Sequence, residues 1–136
     1  MMKTTTTWKH DMAFDSELEG QKISIDGGRD EHGKRLGFGP KALLLTGLAG
    51  CSGIDVVDML KKMKVPFTKL VVDVEADLVE EHPKVFKEIN MVYRTDVEEA
   101  NNDKLKRAIQ LSLDKYCGVS AMLKKNSDIN FRIESL

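Results

Sequence analysis

From Ala42 to Gly50 the chain reads Ala-Leu-Leu-Leu-Thr-Gly-Leu-Ala-Gly, small or apolar in nearly every direction. A segment with no polar face is expected in an interior or against another chain, and Gly47 and Gly50 would let a second backbone come close. Directly after it, Ser52-Gly-Ile-Asp55 has the Ser-x-x-Asp pattern of a helix start. Val56, Val57, Leu60 and Met63 then recur at helical spacing. Lys61, Lys62 and Lys64 fill the last turn, where cations suit the helix dipole, and Pro66 ends it. The expectation is two helical pieces with a break at Cys51, whose thiol would sit at a helix N-terminus, a setting that favours the thiolate. If one helix ran unbroken through Cys51, Asp55 and Asp58 would share its face and oppose that ionisation.

Around this segment, 136 residues with 41% apolar content are enough for one domain, residues 1–136, with one core. A net charge of −1 supplies no field to draw nucleic acid or an anionic membrane. Met1-Met-Lys3 and the threonines after it lack the apolar stretch of a signal peptide. The longest near-apolar run, Ala42–Cys51, is about half of the roughly 20 residues that a membrane helix needs. The expected setting is cytoplasmic, without a membrane or nucleic-acid partner. Two cysteines there are more readily explained as free or redox-active than as a structural staple.

Taken in order, Thr4–Lys9 is β-branched and aromatic and reads as a strand, Met12–Phe14 as a second, and Gln21–Ile25 as a third bounded by glycines. Asp26–Phe38 is a polar, Gly-containing loop. Leu70, Val72, Val74 and Ala76 alternate with Asp73, Glu75 and Asp77, the pattern of a half-buried antiparallel strand. Beyond Pro83 a partner strand places Ile89, Met91 and Tyr93 on one face. Asn101 or Asn102 caps a helix whose stripe is Leu105, Ala108, Ile109, Ser112, Leu113 and Tyr116. Cys117-Gly118 interrupts it, Val119–Lys125 turns back, and Ile129, Phe131 and Ile133 make the last strand. The order β-β-β-α-α-β-β-α-α-β defines an α+β protein.

Most candidate sites fail on their own chemistry. Gly28–Arg35 is one residue short of a phosphate-binding loop, with Arg35 where the magnesium-holding hydroxyl belongs and no helix to follow. His10, His32 and His82 are too scattered to form a ligand set with either cysteine, so no metal is expected. No Gly-x-Ser-x-Gly elbow is present, and no cofactor is implied. Cys51 and Cys117 are left. Free cysteine is commonly a small buried hydrophobe, yet both stand beside small residues, immediately before helical segments.

The two motifs, Gly-Cys51-Ser-Gly-Ile-Asp-Val-Val and Tyr-Cys117-Gly-Val-Ser-Ala-Met-Leu, with a final strand after the second, resemble those of the OsmC/Ohr superfamily, which takes in osmotically inducible protein C and the organic hydroperoxide resistance proteins. The likeness spans essentially the whole chain. It implies an OsmC-like fold and an intertwined homodimer whose central helices pack against sheets from both subunits. It further implies that Cys51 matches the peroxidatic cysteine, attacking an organic hydroperoxide in oxidative stress defence. Cys117 would match the resolving cysteine, closing a disulfide that an external dithiol reduces. The well-studied peroxidases have a glutamate soon after a proline, where this chain has Lys41 after Pro40. They also have an arginine in the first strand-turn region, and none lies between Trp8 and Gly20 here. The alternative expectation is a non-enzymatic dimer of the same fold that binds a small apolar molecule.

Overall fold

Strands β1 (Thr5–His10), β2 (Ala13–Leu18) and β3 (Gln21–Asp26) form an antiparallel meander in the order β1-β2-β3. Glu19 and Gly20, both at positive φ (49° and 81°), make the tight turn between Leu18 and Gln21. That geometry matches the right-handed twist of the flanking strands. The computed structural model describes all 136 residues, in two compact units, Met1–Leu44 and Leu45–Leu136. In the first unit the chain after β3 doubles back so that Phe38 bridges Ile25 in parallel. Gly37 is required there, because a Cβ would fall 2.2 Å from the Ser24 carbonyl oxygen. The Gly28–Arg35 stretch closes a turn of its own: the Asp30 carboxylate accepts the N–H groups of His32 and Lys34, both at 2.8 Å. Those amides are therefore spent on a side chain of the same loop.

Helix α1 (Pro40–Lys62) is continuous, which corrects the expected break at Cys51 and merges the two helices expected there. Pro40 takes the first turn, where its missing N–H is no loss. Gly47, Gly50 and Gly53 each cost about 1 kcal/mol relative to alanine. Leu48, Ser52, Val56 and Leu60, four residues apart, are all completely buried and outweigh that cost. Ser52 does not cap a helix, because its hydroxyl is engaged in the core. Helix α1 ends with Lys64 at φ 58°, the Lys64 N–H on the Lys61 carbonyl and the Val65 N–H on the Leu60 carbonyl. This is a Schellman stop with lysine in the usual glycine position. By length and composition α1 is apolar enough to cross a membrane, and in this fold its stripe of Leu48, Ser52, Val56 and Leu60 lies in the core.

In the second unit, β4 (Leu70–Leu78) pairs antiparallel with β5 (Phe86–Thr95), and β6 (Ile129–Ser135) pairs parallel with β5. A parallel pair needs a crossover. The crossover is α2 (Asn102–Leu111), a π turn (Ser112–Tyr116) and α3 (Gly118–Leu123). The core joins Leu48, Val56 and Leu60 of α1 to Ile89, Met91 and Tyr93 of β5 and to Leu105, Ala108 and Ile109 of α2, as the strand and helix periodicities predict. Tyr116 departs from expectation. The π turn adds a residue to the helical repeat, so Tyr116 leaves the α2 stripe and stands 55% exposed.

Candidate active site

Helical spacing fixes the first half of the site. Ser52 lies on the buried stripe of α1, while Cys51 and Asp55, one turn apart, flank it half-buried. Tyr93 comes from the inward face of β5, and Ser112 from the first residue of the π turn; both are fully buried. Four side chains meet there. Ser52 Oγ lies 2.5 Å from the Tyr93 hydroxyl and 2.9 Å from Ser112 Oγ, which is 2.9 Å from Asp55 Oδ2.

The Ser112 hydroxyl donates, with Asp55 Oδ2 and Ser52 Oγ both at 2.9 Å, and the Tyr93 hydroxyl also reaches the Met91 sulfur at 3.7 Å. A carboxylate only accepts, so Asp55 closes the cluster at one end. No buried side-chain nitrogen or oxygen in the molecule lacks a partner. Burial, more than any other cause, pushes the Tyr93 phenol up to about 12; the Ser52 contact opposes this, and nearby Cys117 and Asp55 add to it.

Cys117 is placed by the π turn. Its N–H donates to the Ser112 carbonyl at 2.7 Å, and its sulfur accepts the Ser120 N–H at 3.3 Å as the N-cap of α3. The carbonyl of Leu113, freed by the wide turn, is taken by Ser120 Oγ at 3.0 Å and Lys124 Nζ at 2.6 Å. Both thiols are free, Cys117 buried in the core and Cys51 half-buried and packed against that core. Burial first, and then the neighbouring Cys51 thiol, push the Cys117 thiol up to about 11.

The expected helix start at Cys117 is present, whereas Cys51, in the middle of α1, receives no N-terminal dipole. No arginine or lysine pairs with either sulfur. Sequence reasoning had Ser112 and Tyr93 on apolar stripes but gave them no role beyond packing, and read Ser52 as a cap. The available signal was a hydroxyl at a core position of three separate elements, since buried hydroxyls require partners.

A long helix bearing Cys51, with Cys117 at a helix start after a crossover, in a chain that opens with a three-stranded meander, is the arrangement of an OsmC-like protein. The model of the OsmC-like protein family matches residues 31–132, and the chain belongs to that family. It is 29% identical over 134 residues to protein YhfA of Escherichia coli strain K12, covering 98% of this chain and 97% of YhfA. Among solved structures it resembles a hypothetical protein from Aquifex aeolicus VF5 (27% identity, TM-score 0.83, covering 100% of this chain and 98% of that one). The organic hydroperoxide resistance protein OhrB of Bacillus subtilis shares the fold at 15% identity and TM-score 0.71, with 98% of each chain covered.

Proposed function

We propose that this chain is a cytoplasmic, thiol-dependent reductase of organic hydroperoxides that works as a homodimer. The observation that carries the reading is that the chain's only two thiols border one core, Cys51 from α1 and Cys117 from the start of α3. Their environments divide the work. Half-buried Cys51 is the one a substrate reaches. Its thiolate attacks the terminal peroxide oxygen, the O–O bond breaks, sulfur keeps the OH as a sulfenic acid, and the alkoxide leaves and takes a proton from water. Buried Cys117, held protonated at neutral pH, is the resolver. Its sulfur displaces the sulfenic OH as water, carrying away the Cys117 proton, and forms the disulfide. An external dithiol then returns both thiols and becomes a disulfide itself.

One equivalent of tert-butyl hydroperoxide is expected to consume both thiols and give an intramolecular disulfide. Cys117→Ser should stop at a sulfenic acid on Cys51, and Cys51→Ser should leave Cys117 unreacted. Thiols that ignore the hydroperoxide would overturn the enzymatic reading. The second reading, a non-enzymatic dimer holding a small apolar molecule, would then stand. Two observations favour it: neither sulfur has a cationic partner, and an apolar groove lined by Ala49, Gly53, Ile54, Val57, Leu70 and Val72 runs along α1.

A further inference from the structure

The buried hydroxyls do more than fill the core. Ser52 is bonded in sequence to Cys51, and Ser112 takes the Cys117 N–H on its own carbonyl at 2.7 Å. The 2.9 Å contact between the two serine hydroxyls therefore ties together the two backbone segments that carry the thiols. Its ends are held as well, by the Tyr93 hydroxyl at one side and the Asp55 carboxylate at the other. The carboxylate can only accept, so Asp55 anchors the Ser112 hydroxyl from one side while Tyr93 holds Ser52 from the other.

We propose that Ser52 and Ser112 are positioning residues for the cysteine pair, a buried clasp, locked by Asp55 and Tyr93, that fixes the approach of Cys117 to Cys51. The proposal rests on the reading of Cys51 and Cys117 as one redox pair. A disulfide tolerates Cα separations of roughly 4.4–6.8 Å and a narrow range of torsions, so a clasp one residue from one cysteine and one hydrogen bond from the other controls how readily the pair closes. The hydroxyls touch no substrate. Their effect is on the second chemical step and on the disulfide potential, and the attack of Cys51 on a peroxide does not pass through them.

The measurement is the equilibrium of the purified full-length protein with oxidised and reduced glutathione. In that exchange the glutathione S–S bond breaks, the Cys51–Cys117 bond forms, and the two protein thiol protons end on two molecules of reduced glutathione. Replacing both hydroxyls in Ser52→Ala/Ser112→Ala leaves no half-satisfied serine, and Tyr93 keeps the Met91 sulfur, 3.7 Å away, as acceptor. This double variant is expected to stay folded and to lower the disulfide equilibrium constant at least ten-fold. Asp55→Ala should lower it in the same sense. Asp55→Asn, which keeps an oxygen acceptor for Ser112, should restore it to within about three-fold of wild type. A folded double variant with the wild-type constant would overturn the clasp, as would Asp55→Asn falling as far as Asp55→Ala, since charge and not position would then carry the effect. A wild-type chain that forms no intramolecular disulfide would overturn it too. Failure of the peroxidase reading is seen separately, as a disulfide that glutathione forms and hydroperoxide does not.

Discussion

The Cys117 sulfur accepts the Ser120 N–H at 3.3 Å, so the proposed resolving thiol is also the N-cap of α3. Serine is among the best N-cap residues, and its oxygen makes the same bond at shorter range. Cys117→Ser is therefore expected to keep the wild-type stability to within about 1 kcal/mol while ending disulfide formation. Cys117→Ala, which loses the cap, should be less stable than Cys117→Ser by about 0.5–2 kcal/mol. Urea unfolding of the two variants side by side checks the difference.

Alkaline pH should destabilise the protein over two overlapping windows. The Cys117 thiol is raised from 9.0 to about 11 and the Tyr93 phenol from 10.0 to about 12, so the folded state keeps both protons longer than the unfolded chain does. Unfolding then releases protons, and stability falls as pH rises. The contribution is whole below about pH 9 and is lost between 9 and 11 for Cys117 and between 10 and 12 for Tyr93. Cys117→Ser should flatten the first window and Tyr93→Phe the second, read from urea midpoints at pH 8 to 12. At neutral pH, Tyr93→Phe should itself cost about 1 kcal/mol for the lost hydrogen bond.

Periodicity found most of the fold. The alternation in β4 and the face formed by Ile89, Met91 and Tyr93 are direct consequences of burial on one side of a sheet, and each element needed only its own residues to be read. The break expected at Cys51 failed because Ser52 satisfies a capping pattern and a core stripe equally well. Its competing partners, Tyr93 and Ser112, are distant in the chain and invisible to any local window. The same distance hid the cluster around the thiols. The resemblance named Cys51 and Cys117, but the position of Cys117 depends on the π turn, and the single added residue in that turn has no signature in Ser112–Tyr116.

At the start of β4 a half-buried carboxylate acts as a staple. Asp96 accepts the hydroxyl of Thr68, the Thr68 N–H at 2.9 Å and the Lys69 N–H at 3.0 Å. The Thr68 hydroxyl, followed by the Lys69 and Thr68 amides, holds its acid well below the usual range, down from 3.8 to about 2. The folded state thus binds fewer protons than the unfolded chain in this interval. The contribution is complete above about pH 4 and is lost as pH falls through 2. Asp96→Asn should lower the thermal midpoint at pH 7 and remove this part of the acid dependence. A variant whose acid titration of stability matches that of wild type would show that the staple adds nothing.

Assembly gives the last expectation. Ile54 is 72% exposed and Leu44 49% exposed on α1, and Trp8 stands 61% exposed on β1. Gly47 and Gly50 have nothing within 4 Å of where a Cβ would be. A large apolar side chain left in water on the central helix fits a face that a second copy of the chain covers, in line with the proposed homodimer. In a lone chain Ile54→Glu would be a surface change worth no more than about 0.5 kcal/mol. In a dimer built on α1 the same substitution places a charge in the interface on both copies, and dissociation should rise by at least ten-fold, about 1.4 kcal/mol. Sedimentation equilibrium across the low micromolar range reads both outcomes. A wild-type chain that stays monomeric and folded, with Ile54→Glu unchanged in midpoint, would leave the α1 face without a partner of its own kind.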